Sequence, residues 1–242
     1  MLIIGATSSI AHATARRFAA DGARFFLVGR DAGKLDAVAD DLRVCGATDA
    51  LTFALDVNDF SRHAAMLDAA TAALGTIDTV LIAHGSLSDQ EACNASVERT
   101  LAEWTTNCTS VIALLTLLAP VFERQRKGVI AVLSSVAGDR GRKSLYVYGA
   151  AKGALNLFLE GLRGRLAPAG VAVLTIKPGI VDTPMTAHLP KNFLFASPQR
   201  VAEDIQQAIV RGRNVIYTPW FWRYIMLIIR AIPGPIFKRL SI

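Results

Sequence analysis

Short apolar runs rich in β-branched residues alternate along this sequence with longer segments whose apolar residues recur at helical spacing. The short runs are continuously apolar, which indicates strands buried on both faces, as in a parallel sheet. We predict strands at residues 2–5, 24–29, 49–55, 79–83, 129–134, 171–177 and 214–217. We predict helices at residues 10–20, 33–44, 60–74, 97–125, 148–167 and 198–211. This order predicts an α/β fold, a doubly wound, seven-stranded parallel sheet with helices on both faces.

A single domain explains this order, because no repeat, low-complexity tract or flexible linker interrupts it. We assign residues 1–218 to a Rossmann-type domain that binds a dinucleotide and carries the catalytic residues, and residues 219–242 to an apolar, basic helical extension. The first residues lack the features of a signal peptide, and the three cysteines are scattered, as expected in a reducing compartment. We therefore expect a cytoplasmic protein, with peripheral membrane contact left open by the extension.

The net charge of +6 favours anionic partners, such as dinucleotide phosphates or an anionic membrane surface. The sequence has no Lys and Arg block interleaved with aromatic residues, so we expect no nucleic-acid partner. Its Cys and His residues do not follow the spacing of a metal site, so we expect no metal.

The turn between the first strand and the first helix consists of small residues. Gly5 ends the strand, and Thr7, Ser8, Ser9 and Ile10 lead into the helix. Free backbone N–H groups at the start of a helix bind pyrophosphate, and small residues let the backbone come close. We predict that these residues bind a dinucleotide; an ordinary tight turn is the alternative.

The ends of the second and third strands predict the adenosine side of the site. Arg30 follows the second strand, where a site selective for NAD usually has an acid, and its guanidinium suits a 2′-phosphate. NADP(H) is therefore favoured over NAD(H), although Asp31 would weaken the preference and a solvated arginine is the alternative. Asp56 and Val57 follow the third strand. The Asp56 carboxylate either accepts a hydrogen bond from the adenine amino group or caps the next helix.

Tyr148 and Lys152 are the strongest candidates for chemistry. Residues four apart share a face of a helix, and an ammonium one turn from a phenol is expected to lower the phenol's pKa. Such a phenol protonates a carbonyl oxygen as hydride arrives, or takes the proton back in reverse. Ser135 ends a buried strand nearby, and its hydroxyl is predicted to hold the substrate oxygen. A surface helix pair is the alternative, and Tyr146 ranks lower because it has no Lys four residues later.

Together these residues resemble the short-chain dehydrogenase/reductase family, in its compact single-domain branch. The family's serine, tyrosine and lysine fall on Ser135, Tyr148 and Lys152, and its helix asparagine, which supports a relay water, falls on Asn107. The resemblance also implies that the loop after the sixth strand covers the nicotinamide. The cofactor-binding residues implied in that loop are Pro178, Gly179, Val181 and Thr183.

Two segments depart from the family pattern. Ser9 and Ala11 replace the second and third glycines of the dinucleotide turn. His84 and Gly85 lie where the family has an Asn-Asn-Ala-Gly stretch, so its asparagine is lost. We include His84 and Gly85 among the cofactor-binding residues, while a structural role for His84 stays open.

A narrower resemblance is to bacterial decaprenylphosphoryl 2-keto-pentose reductases, carried by residues 5–11, residues 84–90 and the basic C-terminus. That C-terminal segment is apolar nearly all round a helix, with Arg223 and Arg230 on one stripe. It either lies on a membrane surface, packs on a partner subunit or covers the substrate cleft.

The expected function is hydride transfer between NADP(H) and a carbonyl or alcohol carbon of a small or lipid-like substrate, most often reduction of a ketone or aldehyde. A non-catalytic, NADP(H)-responsive binding protein is the alternative, because the glycine pattern is altered. The resemblance also implies a homodimer or homotetramer.

Overall fold

A computed structural model describes residues 1–87 and 89–240. Within these residues, seven parallel strands form one sheet in the order β3-β2-β1-β4-β5-β6-β7. Each strand pairs in register with its neighbours, so the carboxyl ends of all the strands lie along one edge. The strands are β1 (Leu2–Ile4), β2 (Arg24–Gly29), β3 (Asp49–Ala54), β4 (Thr79–Ile82), β5 (Val129–Leu133), β6 (Ala172–Pro178) and β7 (Val215–Thr218).

Helices cover both faces of this sheet. One apolar cluster joins it to α3 (His63–Leu74), α6 (Ser110–Gln125) and α7 (Tyr146–Leu166). A second cluster joins the opposite face to α1 (Ser9–Ala19), α2 (Ala32–Val44) and α8 (Pro198–Val210). The predicted fold class, a Rossmann-type doubly wound sheet, is therefore confirmed.

The predicted helix at residues 97–125 is divided in the structure. It consists of α5 (Val97–Trp104), a π-helical turn at Thr105–Thr109, and α6. A short helix that was not predicted, α4 (Gln90–Asn94), precedes it. Among the described residues, only this run is long and apolar enough to span a membrane by composition, but half of its most apolar window is buried. Its apolar side packs on the sheet as a core helix does.

The remaining predicted elements begin or end within one or two residues of those in the structure, apart from a 3₁₀ turn at Phe60–Arg62 that opens the predicted helix at residues 60–74. Four predicted strands extend one residue too far, because Gly5, Leu55, Ala83 and Ser134 already lie beyond the strand ends. The predicted helix at residues 148–167 begins earlier, at Tyr146, since the turn before it already has helical geometry.

The C-terminal segment continues from β7 into α9 (Trp222–Ala231) and α10 (Gly234–Phe237). Trp222 and Met226 on α9 are buried against Val136, near the carboxyl edge of the sheet. Residues 241–242 of the predicted extension lie outside the described residues, and its division from residues 1–218 stays a prediction.

Candidate active site

A single cleft of about 670 Å³ opens at the carboxyl edge of the sheet. The chain leaves successive strands there, so residues distant in sequence meet around one space. Every predicted catalytic and cofactor-binding residue lines it. They are Gly5, Thr7, Ser8, Ser9, Ile10, Arg30, Asp56, Val57, His84, Gly85, Asn107, Ser135, Tyr148, Lys152, Pro178, Gly179, Val181 and Thr183.

Gly5 has a backbone conformation that side chains disfavour. Its φ is +85°, and an added Cβ would lie 2.4 Å from the backbone nitrogen of His84. The β1–α1 turn is therefore pressed against the strand end of β4. Ser8 precedes α1 without a side-chain capping bond, so its hydroxyl does not occupy the N–H groups of the first helical turn. Ser8, Ser9 and Ile10 at this helix start line the cleft, as an anion site would require.

Arg30 lines the cleft at the end of β2 and has no ion pair with any residue in the described part of the chain. The neighbouring Asp31 carboxylate is directed to the start of α2, where it accepts from the backbone N–H of Lys34 at 3.0 Å and lies 3.8 Å from the Lys34 ammonium. Asp56 accepts from the backbone N–H of Asn58 at 2.9 Å, while Asp59 precedes the next helical turn. The alternative that Asp56 caps the next helix is therefore wrong, because Asp59 is the residue that directly precedes the 3₁₀ turn at Phe60–Arg62.

His84 lies between the cleft and α6. Its Nε2 is 3.0 Å from the Ser110 hydroxyl, whereas its Nδ1 is buried without a hydrogen-bond partner. Burial, together with the nearby charge of Lys152, lowers the pKa of His84 to about 3, so the imidazole is neutral. The purely structural alternative for His84 leaves this unpartnered nitrogen unexplained.

The side chains of Tyr148 and Ser135 both line the cleft and lie close enough for the Ser135 hydroxyl to act on the phenol. The pKa of Tyr148 is not lowered as predicted: burial raises it to about 12, and the nearby Ser135 hydroxyl offsets only part of this effect. The Nζ of Lys152 lies 5.7 Å from the centre of the Tyr148 ring. Spacing in the sequence indicates that Tyr148 and Lys152 share a helix face. The burial of the phenol, however, determines the direction in which its pKa is shifted.

Lys152 is almost completely buried, and its Nζ donates to the Leu133 carbonyl oxygen at 3.1 Å. Burial lowers the pKa of Lys152 to about 8, and the carboxylate of Glu103 opposes that shift. Gly85 lies over the same ammonium, since an added Cβ would be 3.6 Å from Nζ. An ammonium has three N–H donors, so Lys152 can serve a ligand as well as Leu133.

Asn107 lies in the π-helical turn and is fully buried. Its Nδ2 donates to the Glu103 carboxylate at 2.8 Å and to the Ser86 carbonyl oxygen at 3.1 Å. Its Oδ1 accepts from the Ser86 backbone N–H at 3.3 Å. The side-chain amide therefore ties the loop after β4 to the helix, and its role with a relay water stays a prediction.

Trp222 and Arg142 are among the cleft residues that were missed in the sequence analysis. Trp222 of α9 lies against Gly179, where an added Cβ would be 1.9 Å from the indole nitrogen. Arg142, in the loop before α7, also lines the cleft. The side-chain nitrogens Trp222 Nε1 and Arg142 Nε are both buried without a hydrogen-bond partner. An arginine close to Tyr148 in sequence was a visible signal, whereas the position of Trp222 depends on long-range packing.

This arrangement can bind a dinucleotide and move a proton. Three features fit a cofactor that carries anionic and hydroxyl groups. They are the close turn at Gly5, the unpaired guanidinium of Arg30 and the unpartnered Nδ1 of His84. The Tyr148 hydroxyl supplies a transferable proton in the same cleft. Within the described residues, no group of three His, Cys, Asp or Glu side chains could hold a metal ion.

Comparison with known proteins supports this interpretation. The model of the short chain dehydrogenase family matches residues 1–193. An uncharacterized oxidoreductase of Mycobacterium tuberculosis is 35% identical over 240 residues, which cover 99% of this chain and 96% of that protein. An uncharacterized oxidoreductase of Streptomyces coelicolor is 34% identical over 243 residues, which cover 100% of this chain and 96% of that protein.

A solved structure shows the same fold. The crystal structure of a variant of the actinorhodin polyketide ketoreductase with NADPH superposes with a TM-score of 0.80. It is 22% identical in sequence, and the alignment covers 89% of this chain and 94% of that chain.

Proposed function

The chain belongs to the short chain dehydrogenase family and is a nicotinamide-dependent oxidoreductase; from this premise we propose that it uses NADPH to reduce the carbonyl carbon of a small or lipid-like ketone or aldehyde. The observation that carries the proposal is that the Ser135 and Tyr148 side chains lie close together in the cleft that the Gly5 turn also lines.

The proposed cofactor would supply the hydride. The turn from Gly5 to Ile10 would bind its pyrophosphate, and Lys152 would bind the ribose next to the nicotinamide. The loop that contains Gly179 and Thr183 would cover the nicotinamide. NADP(H) is favoured over NAD(H) because Arg30 is unpaired and Asp31 is occupied at the start of α2. The solved ketoreductase that shares this fold also contains NADPH.

Tyr148 would donate the proton that the reduced carbonyl oxygen needs. A phenol with a pKa of about 12 is neutral at physiological pH, so its proton is available for the reductive direction. Ser135 would hold the carbonyl oxygen next to Tyr148. Lys152 retains its positive charge near neutral pH and would stabilise the phenolate that remains.

The substrate end of the cleft favours an apolar substituent. Leu145, Met185, Leu189 and Trp222 contribute apolar surface to it. A carbonyl compound with a hydrocarbon chain would contact these side chains while its oxygen meets Ser135 and Tyr148. This composition supports a lipid-like substrate within the broader class of ketones and aldehydes.

The decisive experiment is Tyr148→Phe, which removes the proton donor and retains the ring. We expect kcat for carbonyl reduction to fall at least 100-fold, with the dissociation constant of NADPH changed about twofold or less. NADPH oxidation with a panel of ketones and aldehydes measures turnover, and fluorescence titration measures binding.

The matched control is Tyr146→Phe, because Tyr146 is two residues away, 47% exposed and bonded to Asn94 outside the cleft. This variant should reduce carbonyls as well as the unmodified protein. If Tyr148→Phe retains full turnover, the proposed chemistry is wrong. If the unmodified protein binds NADPH and reduces no carbonyl, the non-catalytic binding protein becomes the better description.

The C-terminal segment supports a further part of the proposal, peripheral contact with a membrane by a cytoplasmic homodimer or homotetramer. Helix α9 buries Trp222 and Met226 beside the cleft, which supports the cleft-covering alternative for that face. Its other face exposes large apolar side chains next to basic ones, as an interfacial helix does. The exposed residues are Arg223, Tyr224, Leu227, Ile228 and Arg230, together with Trp220 just before the helix.

A further inference from the structure

Two arginines in the loop before α7 have different environments. The guanidinium of Arg140 donates to the main-chain carbonyl oxygens of Ile229 and Arg230 and lies 3.7 Å from the centre of the Phe237 ring. Arg140 therefore fastens the loop to the C-terminal helices. Arg142 makes no such contact: it lines the cleft, and its buried Nε has no hydrogen-bond partner.

A buried guanidinium nitrogen without a partner is unfavourable, because Arg has donors but no acceptor and does not lose its charge at ordinary pH. No acid within the described residues compensates Arg142; the charged group that acts on it most is the Tyr148 hydroxyl, when ionised. Arg142 therefore lies close to the proposed proton donor. Buried polar groups without partners are rare in folded proteins, and in a cleft they are commonly satisfied by a ligand.

Trp222 provides a second donor of the same kind from a different element. Its side chain is 5% exposed and lines the cleft, and its Nε1 is buried without a partner. An indole N–H donates and does not accept. A group that satisfies both Arg142 and Trp222 must therefore present acceptor atoms.

The charges around the cleft indicate where an anion would bind. Among the described residues that line it, Asp56 is the only carboxylate, and it lies after β3 on the proposed adenosine side with Arg30. Beside Tyr148 the lining contributes the positive charges of Arg142 and Lys152. An anionic group placed there would meet hydrogen-bond donors and positive charge. The Glu103 carboxylate, which acts on both Tyr148 and Lys152, lies behind the lining and accepts hydrogen bonds from Ser86 and Asn107.

We propose that the substrate of this cleft is a carbonyl compound that also carries an anionic group, a phosphate or a carboxylate, which Arg142 binds with Trp222 as a second donor. This inference rests on the proposed function, because it assigns the substrate class of the same site. Arg142 would hold the anionic group while Ser135 and Tyr148 hold the carbonyl oxygen. The anion would thereby orient the carbonyl carbon for reduction.

A titration tests the anion site without requiring turnover. The protein is saturated with NADP⁺ so that the cofactor's phosphate sites are filled. It is then titrated by calorimetry with phenyl phosphate, benzoate and the neutral benzyl alcohol. We expect at least one anion to bind, and Arg142→Met to weaken that binding about 10- to 100-fold, as loss of a charge-assisted hydrogen bond does. The stronger anion identifies phosphate or carboxylate as the natural group.

The matched control is Arg124→Met, which removes an exposed guanidinium from α6, away from the cleft. It should leave anion binding unchanged. Trp222→Phe retains an aromatic ring and removes the N–H, and it should weaken binding about 3- to 10-fold. The inference is overturned if neither anion binds or if Arg142→Met binds the anions as tightly as the unmodified protein.

A turnover assay separates this inference from the proposed function. Dihydroxyacetone and its phosphate, and acetone and pyruvate, form neutral and anionic pairs for NADPH oxidation. Arg142→Met should lower kcat/KM for the preferred anionic ketone about 10- to 100-fold. The kcat/KM for its neutral counterpart should change about twofold or less. If neutral and anionic ketones are reduced equally well, with no dependence on Arg142, the proposed anion site is contradicted and the proposed reductase activity is retained. If an anion binds through Arg142 but no carbonyl is reduced, the anion site stands and the reductase is wrong.

Discussion

The Ser110 hydroxyl determines which nitrogen of His84 carries a proton. Its single hydrogen is donated to the Thr106 carbonyl oxygen at 2.8 Å, so Ser110 must accept from His84 Nε2 at 3.0 Å. The Nδ1 of His84 is then a buried acceptor without a donor. A hydroxyl group of a bound cofactor can supply that donor, which explains how a histidine can replace the Asn-containing stretch of the family.

The buried His84 predicts a loss of stability in acid. Its folded pKa of about 3 lies below the ordinary value of 6.5, so the unfolded chain binds more protons between these values. Stability is therefore complete above pH 6.5 and falls as pH falls toward 3. This single group should contribute a loss of roughly 2 kcal/mol between pH 7 and pH 5. Urea unfolding at the two pH values measures the difference.

His84→Gln should remove most of that pH dependence, because glutamine retains hydrogen-bonding atoms without titrating in this range. His188→Gln is the control, since His188 is exposed on the loop after β6. His188→Gln should show the same acid sensitivity as the unmodified protein. Equal acid sensitivity in His84→Gln would contradict the assignment.

Arg30 predicts the coenzyme preference. Arg30→Ala removes the guanidinium from the proposed 2′-phosphate site, so the KM for NADPH should rise about tenfold. The KM for NADH should change little, because NADH lacks that phosphate. Steady-state kinetics with both coenzymes measure the effect, and Arg16→Ala on the outer surface of α1 serves as the control. A parallel rise for both coenzymes would show that Arg30 does not select the phosphate.

At the scale of elements, α9 is joined to the loop after β6 by one close contact. The indole of Trp222 occupies the space that a side chain on Gly179 would need. Gly179→Ala should therefore destabilise the protein by about 1–3 kcal/mol through overpacking, lowering Tm by several degrees. Differential scanning calorimetry measures the change.

The double variant Gly179→Ala with Trp222→Val should recover part of that loss, since valine vacates the space. Gly161→Ala is the matched control, because the position lies in α7 with no atom within 4 Å of an added Cβ. It should be neutral or slightly stabilising. If the double variant is as unstable as the sum of the two single variants, the contact is not the cause.

The strands could be predicted because their apolar runs are continuous. Many of the site residues could be predicted because they directly follow the ends of those strands. Leu2–Ile4 and Val129–Leu133 are local signals of this kind. The π-helical turn around Asn107 could not be predicted, since apolar periodicity continues through it from Val97 to Gln125. Its geometry is stabilised by contacts of Asn107 with Ser86, which is distant in sequence.

Burial and long-range packing limited the prediction of the site. The direction of the Tyr148 pKa shift depends on how completely the phenol is desolvated, which four-residue spacing does not reveal. The role of Trp222 depends on a segment that returns to the cleft after β7. The narrower resemblance at residues 84–90 includes Ser88, which lies outside the described residues, and it stays a prediction.

At the scale of the whole molecule, the net charge of +6 and the exposed face of α9 act together. Trp220 and Ile228 are each 66% exposed, and Arg223 and Arg230 lie among them. We expect binding to vesicles that contain anionic lipid, with weaker binding to neutral phosphatidylcholine vesicles and at high salt. Co-sedimentation measures the bound fraction.

The test variant replaces three exposed apolar residues, Trp220, Leu227 and Ile228, with serine. It leaves the buried Trp222 and Met226 unchanged, so the cleft wall is retained. Sedimentation with anionic vesicles should fall severalfold. The control replaces the exposed Leu157 of α7 with serine and should bind vesicles as before. Equal sedimentation of all three proteins would contradict membrane contact; a change in oligomeric state of the triple variant would instead indicate a protein interface.

The position of Trp222 has an optical consequence. Of the three tryptophans, Trp104 and Trp220 are exposed, while the indole of Trp222 lies in the wall of the cleft. A molecule that enters the cleft changes the surroundings of this indole and leaves the other two in solvent. The arrival of cofactor or substrate can therefore be followed from the intrinsic emission of the chain, without an attached dye.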